Sequence, residues 1–325
     1  MNKIAVLFSG YGSQYVGMGK DIYDESRTMQ EFFEEAANCL DINFVKLCFA
    51  SSDSELRQIR NAYLALFTVN SALYTILQEE ISFTPEFVSG MGVGEYSALF
   101  AARSITFPDG LYLLNIYAQA FEELLLTHRL GILQLLSISV SDLKKIIAQI
   151  PNLSQHQLTV SHIIDNDSFF ISGHQEGIIQ LREFLSDKNN FKNVAIEEID
   201  EGYGINSPIM ENVLEYVKGH LHQVDFKDLI LPLINTVDGA CIKKGESAKY
   251  SIMRQINEPT LWNQVMENFV GIDTILVIGP DHDLAETVSR VYPDKKIMVI
   301  SKRSEIEEFK KAYMQGVAED VDKQE

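Results

Sequence analysis

The chain has 325 residues, 46% of them hydrophobic and 22% charged, with 19 Gly and 8 Pro; it is long enough to bury one large core or two modest ones, which excludes collagen-like, low-complexity and wholly disordered chains. Lys and Arg number 27 against 46 Asp and Glu, and the resulting charge of −19 argues against a nucleic-acid binder, because the basic pairs are only Lys144-Lys145, Lys243-Lys244 and Lys302-Arg303. Three cysteines, Cys39, Cys48 and Cys241, without a C-x-x-C pair, predict neither a disulfide framework nor a zinc site; with no apolar run of membrane-spanning length and no signal sequence, the expectation is a cytoplasmic protein without metal or cofactor.

In chain order, Ile4 to Phe8 reads as a buried strand running into the turn-rich Ser9-Gly10-Tyr11-Gly12-Ser13-Gln14. Asn61 to Gln78 carries apolar residues at helical spacing, Phe87 to Ser89 reads as a second strand, and Glu95 to Arg103 as a helix after Gly90-Met91-Gly92-Val93-Gly94. Thr106, with Pro108 and Asp109, opens a long helix through His128, since threonine caps free amides and proline is tolerated in a first turn. Next come strand Ile132–Val140, helix Ser141–Ile150, strands Leu158–Ile164 and Phe169–Ser172, helix Gln175–Leu185 and strand Asn193–Ile196. That βαββαβ order suggests a ferredoxin-like insert. Alternation then resumes with helix Pro208–His222, strand Leu231–Asn235, helices around Ile252 and Val265, strand Thr274–Ile278, helix Leu284–Val291 and strand Ile297–Ile300. A last helix begins near Ser304 and frays into an acidic tail. The expected organisation is α/β: a large hydrolase-like parallel-sheet domain from 1–129 and 198–310, a small subdomain at 130–197, and a tail at 311–325.

A glycine-rich turn between strand and helix binds phosphate or presents a nucleophile on an elbow. Gly90-x-Gly92 and Gly10-x-Gly12 both lack the third glycine of a dinucleotide fingerprint, Glu95 and Tyr15 standing in its place, and neither loop has the Lys-Ser/Thr of a phosphate loop. Gly90 and Gly94 do frame a G-x-S-x-G elbow, but its serine position is Gly92.

Four stretches carry a resemblance: Phe8 to Gln14, Gly90 to Leu99, Asn206-Ser207-Pro208-Ile209-Met210, and Arg254-Gln255 followed by Pro259 and Trp262. In this order and spacing the chain resembles the malonyl-CoA:acyl carrier protein transacylases and the acyltransferases of polyketide synthesis. The resemblance implies an acyltransferase fold and an elbow serine acylated with the help of a histidine. Here those positions are Gly92 and Asn206. A glycine has no oxygen to acylate and an amide no usable base, and losing such a unit lowers turnover by on the order of 10⁶-fold in serine proteases. Met91 replaces the histidine beside the nucleophile, Tyr11 the glutamine beside the oxyanion hole, and Tyr117 aligns with the malonyl-binding arginine. A phenol cannot offer a guanidinium's fork to a carboxylate. Gln255 is the expected pocket residue that remains.

The substrate-binding positions are therefore Tyr11, Met91, Gly92, Val93, Tyr117, Asn206 and Gln255, with no catalytic residue expected. Tyr11 and Tyr117 form either an aromatic wall for a ligand or ring area filling a vacated pocket, while the Val93 amide still offers a site for a carbonyl oxygen. Of the hydroxyls weighed for a displaced role, Ser97 reads as structural and Ser89 as satisfying a backbone group, Ser13 and Ser207 lie in pocket-forming loops without a predictable base, and Cys39 and Cys48 read as small buried groups. Three readings follow: a catalytically silent homologue that binds an acyl carrier protein, a synthase module or an acyl-CoA or other acyl thioester; a repurposed enzyme acting on a carrier-bound acyl chain; and an ordinary transacylase with a displaced nucleophile. Carrier proteins are acidic, so such a partner would need a local patch, Lys243-Lys244 or Lys302-Arg303.

Overall fold

The computed structural model describes residues 3–149, 157–186 and 194–322. Strand β1 (Ile4–Phe8), wholly buried, leads through a helical segment that includes α1 (Arg27–Leu40) to the long α2 (Ile59–Ile81). β2 (Phe87–Gly90) turns sharply into α3 (Gly94–Ala101). α4 (Phe107–Thr127) opens on the expected capping box, with Thr106 and Asp109 each accepting the other's backbone amide. These elements follow the sequence reading because each carries a local signal: an apolar run, a glycine turn, a cap.

The next stretch comprises β3 (Leu130–Leu136), α5 (Val140–Gln149), β4 (Thr159–Ile163), β5 (Ser168–His174), α6 (Gln175–Ser186) and β6 (Ala195–Ile199). Within it the strand order β6-β3-β5-β4 is antiparallel throughout, the arrangement of a ferredoxin-like unit. β3 stops short of the expected Val140 because Ser137 turns to φ 59° and Ser139 accepts the Asp142 amide (3.1 Å), starting α5. Asn193, the expected start of the last strand, and Ile150, the expected end of the helix, lie outside the described residues, while the strand expected from Leu158 begins at Thr159.

After a 3₁₀ turn at Pro208–Met210 come α7 (Glu211–His220), β7 (Leu233–Ile234), β8 (Cys241–Ile242), α8 (Gly245–Asn257), β9 (Thr260–Leu261), β10 (Thr274–Ile278), α9 (His282–Val291), β11 (Lys296–Ile300) and α10 (Arg303–Asp322). The large sheet runs β11-β10-β1-β2-β7-β8. Its first five strands are parallel, as expected, but β8 pairs antiparallel with β7, so the sheet is mixed. A second departure is β9, which leaves the large layer and pairs parallel with β4. Two-residue strands have no periodicity to read; tertiary pairing alone makes them. The expected tail from 311 continues α10 instead, anchored by Phe309 and Tyr313 against Phe83 (ring centroids 5.4 and 6.2 Å). Among the described residues no helix is long and apolar enough to cross a membrane.

Candidate functional site

The turn from β2 to α3 is built by close approach. A Cβ on Gly90 would lie under 3.0 Å from the backbone of Gly94, and one on Gly94 under 3.0 Å from the carbonyls of Phe8 and Ser9. Gly92, at φ 54°, is different: a Cβ there would meet nothing within 4 Å. The turn keeps the left-handed conformation that aims a side chain outward, and the space for that side chain is vacant. The amides of Gly94 and Glu95 close back onto Met91 O (2.9 Å) and Gly92 O (3.1 Å), so the helical ladder begins beyond Val93 and its N–H stays outside it.

Beneath the turn lies a network that motif comparison does not foretell. The fully buried Glu95 carboxylate accepts from Ser251 Oγ (2.7 Å), Thr236 Oγ1 (2.9 Å) and Thr236 N (3.3 Å). Gln255 Nε2 is shared among Gly92 O (3.0 Å), Glu95 Oε2 (3.2 Å) and Thr236 Oγ1 (3.2 Å). Burial raises the Glu95 pKa, and these donors pull it back. Gln255 therefore braces the turn from below, through its carbonyl.

Asn206 adopts φ 42° and donates from Nδ2 to Thr260 Oγ1 on β9 (3.0 Å), tying its own segment to the edge strand of the smaller sheet. Tyr11 places its hydroxyl between Arg57 O (2.8 Å) and Asp200 Oδ1 (2.7 Å), and its pKa is raised, chiefly by burial and then by Asp200. Its ring packs edge-on to Tyr63 and Tyr203 (5.9 and 5.6 Å), and a Cβ on Gly202 would enter that ring. Tyr117 stacks on Phe121 (6.1 Å) and meets Tyr63 (5.7 Å). Tyr63 gives its proton to Gly202 O (2.8 Å).

All seven expected positions line one cavity, together with Tyr63, His162 and Tyr203, and its volume is about 20 Å³. That holds a water molecule and little more. Tyr11 and Tyr117 both stand in its wall. Tyr11, Met91 and Tyr203 also form the wall of a second cavity of about 300 Å³, bounded by the loop after β1, by Gln134, Ile164 and Phe170 of the small sheet's strands and turn, and by the start of α9. The cleft is thus narrow at the elbow and wider outside it.

His162 is buried with its pKa pushed down to about 4 by desolvation. Its Nδ1 is 3.0 Å from Ser161 Oγ and its ring also hydrogen-bonds the Tyr203 carbonyl, so it is a neutral structural group. The hydroxyls considered for a displaced role are engaged too: Ser13 donates to Gly10 O (2.7 Å), Ser89 to Ile234 O (2.7 Å), and Ser207 accepts from Ile209 N (3.4 Å). Ser97 Oγ is buried without a partner inside the fold. Burial lifts the Cys48 thiol to about 12, far from a nucleophile's range, whereas Cys39 is exposed, contrary to expectation, because its helix turns that face outward.

Asp281 caps α9, accepting Leu284 N (2.9 Å) and the Gly10 amide, and burial lifts its pKa from 3.8 to about 6. A carboxyl raised in the folded state contributes stability that is complete below pH about 4 and is lost as pH rises through about 6. Asn caps as well as Asp. Asp281→Asn should therefore be more stable than the wild type at pH 7.5, by on the order of 1 kcal/mol, and lose the wild type's decline between pH 4 and 6. Thermal melts across that range check this; a variant less stable at pH 7.5 with an unchanged slope refutes it.

A mostly parallel sheet with an antiparallel inserted unit and a strand-turn-helix elbow at their junction defines an acyltransferase-type α/β protein. The model of the acyl transferase domain family matches residues 6–267, and the chain belongs to that family. It is 27% identical over 309 residues to the malonyl CoA-acyl carrier protein transacylase of Bacillus subtilis (strain 168), covering 94% of this chain and 96% of the relative. The Staphylococcus aureus (strain MRSA252) transacylase is 26% identical over 308 residues, with 92% and 96% covered. Among solved structures, FabD from Acinetobacter baumannii superposes with a TM-score of 0.89 at 20% identity, over 97% of this chain and 99% of that one. A malonyl-transacylase solved in complex with its type II polyketide synthase acyl-carrier protein gives 0.87 at 18% identity, over 94% and 97%.

Proposed function

We propose that this chain is a catalytically silent member of its family that binds an acyl carrier protein, or the acyl thioester it bears, without forming an acyl-enzyme. The observation that carries the reading is Gly92 and Asn206 facing a space of about 20 Å³ where relatives of this class need a nucleophile, a base and room for an acyl group. The names of its relatives support the partner. Repurposed chemistry is less favoured because the Tyr11 hydroxyl is spent on Asp200 and Arg57 O, and burial raises the pKa of the Tyr117 phenol.

The units expected from sequence, 1–129 with 198–310 and 130–197, would then present the outer cavity of about 300 Å³ to the carrier's arm. Of the basic pairs, Lys244 is bound to Asp228 (2.6 Å) and Arg303 to Glu80 and Glu307, leaving Lys243 and Lys302 as the charges for an acidic partner. Titration with a phosphopantetheinylated, malonyl-loaded carrier protein should show a complex that weakens with salt, while the carrier's mass stays that of the malonyl form. Stoichiometric loss or transfer of malonyl contradicts the reading.

A further inference from the structure

At the end of α3 remote from Gly92, the chain leaves the helix through a left-handed residue. Arg103 N donates to Phe100 O and Ser104 N to Leu99 O, both 2.9 Å, the hydrogen-bond pattern of a Schellman cap. The left-handed position in such a cap favours glycine, since any Cβ strains it, yet it is Arg103 at φ 56°. Such a residue persists where the surrounding structure holds it, as Asp41 and Ser82 do at the ends of α1 and α2.

The Arg103 side chain is exposed and lines a groove of about 590 Å³ between α2, the end of α3 and the segment at 225–227. That volume lies inside the range of small-molecule sites, roughly 300–1,000 Å³. Its floor is apolar, from Phe100, Ile105, Phe107 and the buried ring of Tyr74. Its rim carries Lys227 beside Arg103, and the two segments are held in register through Ser104: Lys227 N donates to Ser104 O (2.8 Å) and Ser104 Oγ to Lys227 O (3.0 Å). Among the described residues neither cation is in an ion pair, in a chain of charge −19 where Lys244, Arg254, Arg290 and Arg303 all are. Asp225 is the one carboxylate in the lining, so the groove keeps a net positive rim. The Tyr74 hydroxyl accepts from Gln78 Nε2 (3.2 Å), which leaves its proton to give.

We propose that this groove binds an anionic amphiphile, a single carboxylate on an unbranched alkyl chain, with the carboxylate at Arg103 and Lys227 and the chain along Phe100, Ile105 and Phe107. The site is separate from the elbow and does not depend on the reading of its chemistry. A carboxylate forks onto a guanidinium, while the apolar floor recovers the chain's hydrophobic surface.

Sodium decanoate titrated into the full-length protein by calorimetry is the test, with decanol as the uncharged probe. One decanoate should bind per chain, and decanol should bind about tenfold more weakly or less. Arg103→Gly removes the charge while relieving the backbone, so it should weaken decanoate about tenfold without lowering Tm; Lys227→Gln should weaken it by a smaller factor. Absent decanoate binding, equal affinity for decanol, or an Arg103→Gly affinity equal to wild type each overturns the proposal. Selective binding of an acidic, apolar peptide in decanoate's stead would overturn it as well.

Discussion

Gly90→Ala and Gly94→Ala should each destabilise the protein by about 3 kcal/mol or more, while Gly92→Ala, two residues from either, should cost about 1 kcal/mol. The three glycines share one frame but meet different constraints. At positions 90 and 94 the added methyl would collide with the backbone of buried segments, the start of α3 in one case and the end of β1 in the other. A side chain relieves overlap by changing rotamer; a strand in the middle of a parallel sheet cannot. At 92 there is open space, and the cost is that of holding an L-residue at φ 54°. Urea unfolding of the three variants decides it. Gly90→Ala within 1 kcal/mol of wild type would mean that the turn is not built as described.

Glu95→Gln should cost about 2–3 kcal/mol, although it changes one atom. The carboxylate accepts from Ser251, from both donors of Thr236 and from Gln255, with no solvent to substitute. An amide there turns one acceptor into a donor facing donors. Because Gln255 also holds Gly92 O, the loss should loosen the turn itself, visible as faster amide exchange at Gly94 and Glu95 than elsewhere in α3. Uniform exchange across α3, with stability unchanged, would show that the network does not support the turn.

Much of the architecture is legible locally. β1, the capped α4, the βαββαβ order and the glycine frame all declare themselves within a few residues, and the replaced positions line one cavity as motif alignment expects. What escapes are features made by distant partners. Asn206 gains its role from Thr260, on a strand two residues long that no periodicity reveals. The narrow cavity depends on Tyr63 from α2 and on Gly202 and Tyr203 from the turn after β6, none of which stands in a motif. Glu95 lies inside the motif that carries the resemblance, but its burial becomes apparent only when Thr236 and Ser251 arrive beneath it. The exposed Cys39 and the helical continuation past 311 have the same origin, the face that packing selects.

The central claim is that the elbow no longer takes an acyl group. Intact-mass spectrometry of the wild-type protein after incubation with malonyl-CoA and with acetyl-CoA tests it most directly. The unmodified mass is expected in both cases, and a stoichiometric malonyl or acetyl adduct would contradict a silent elbow.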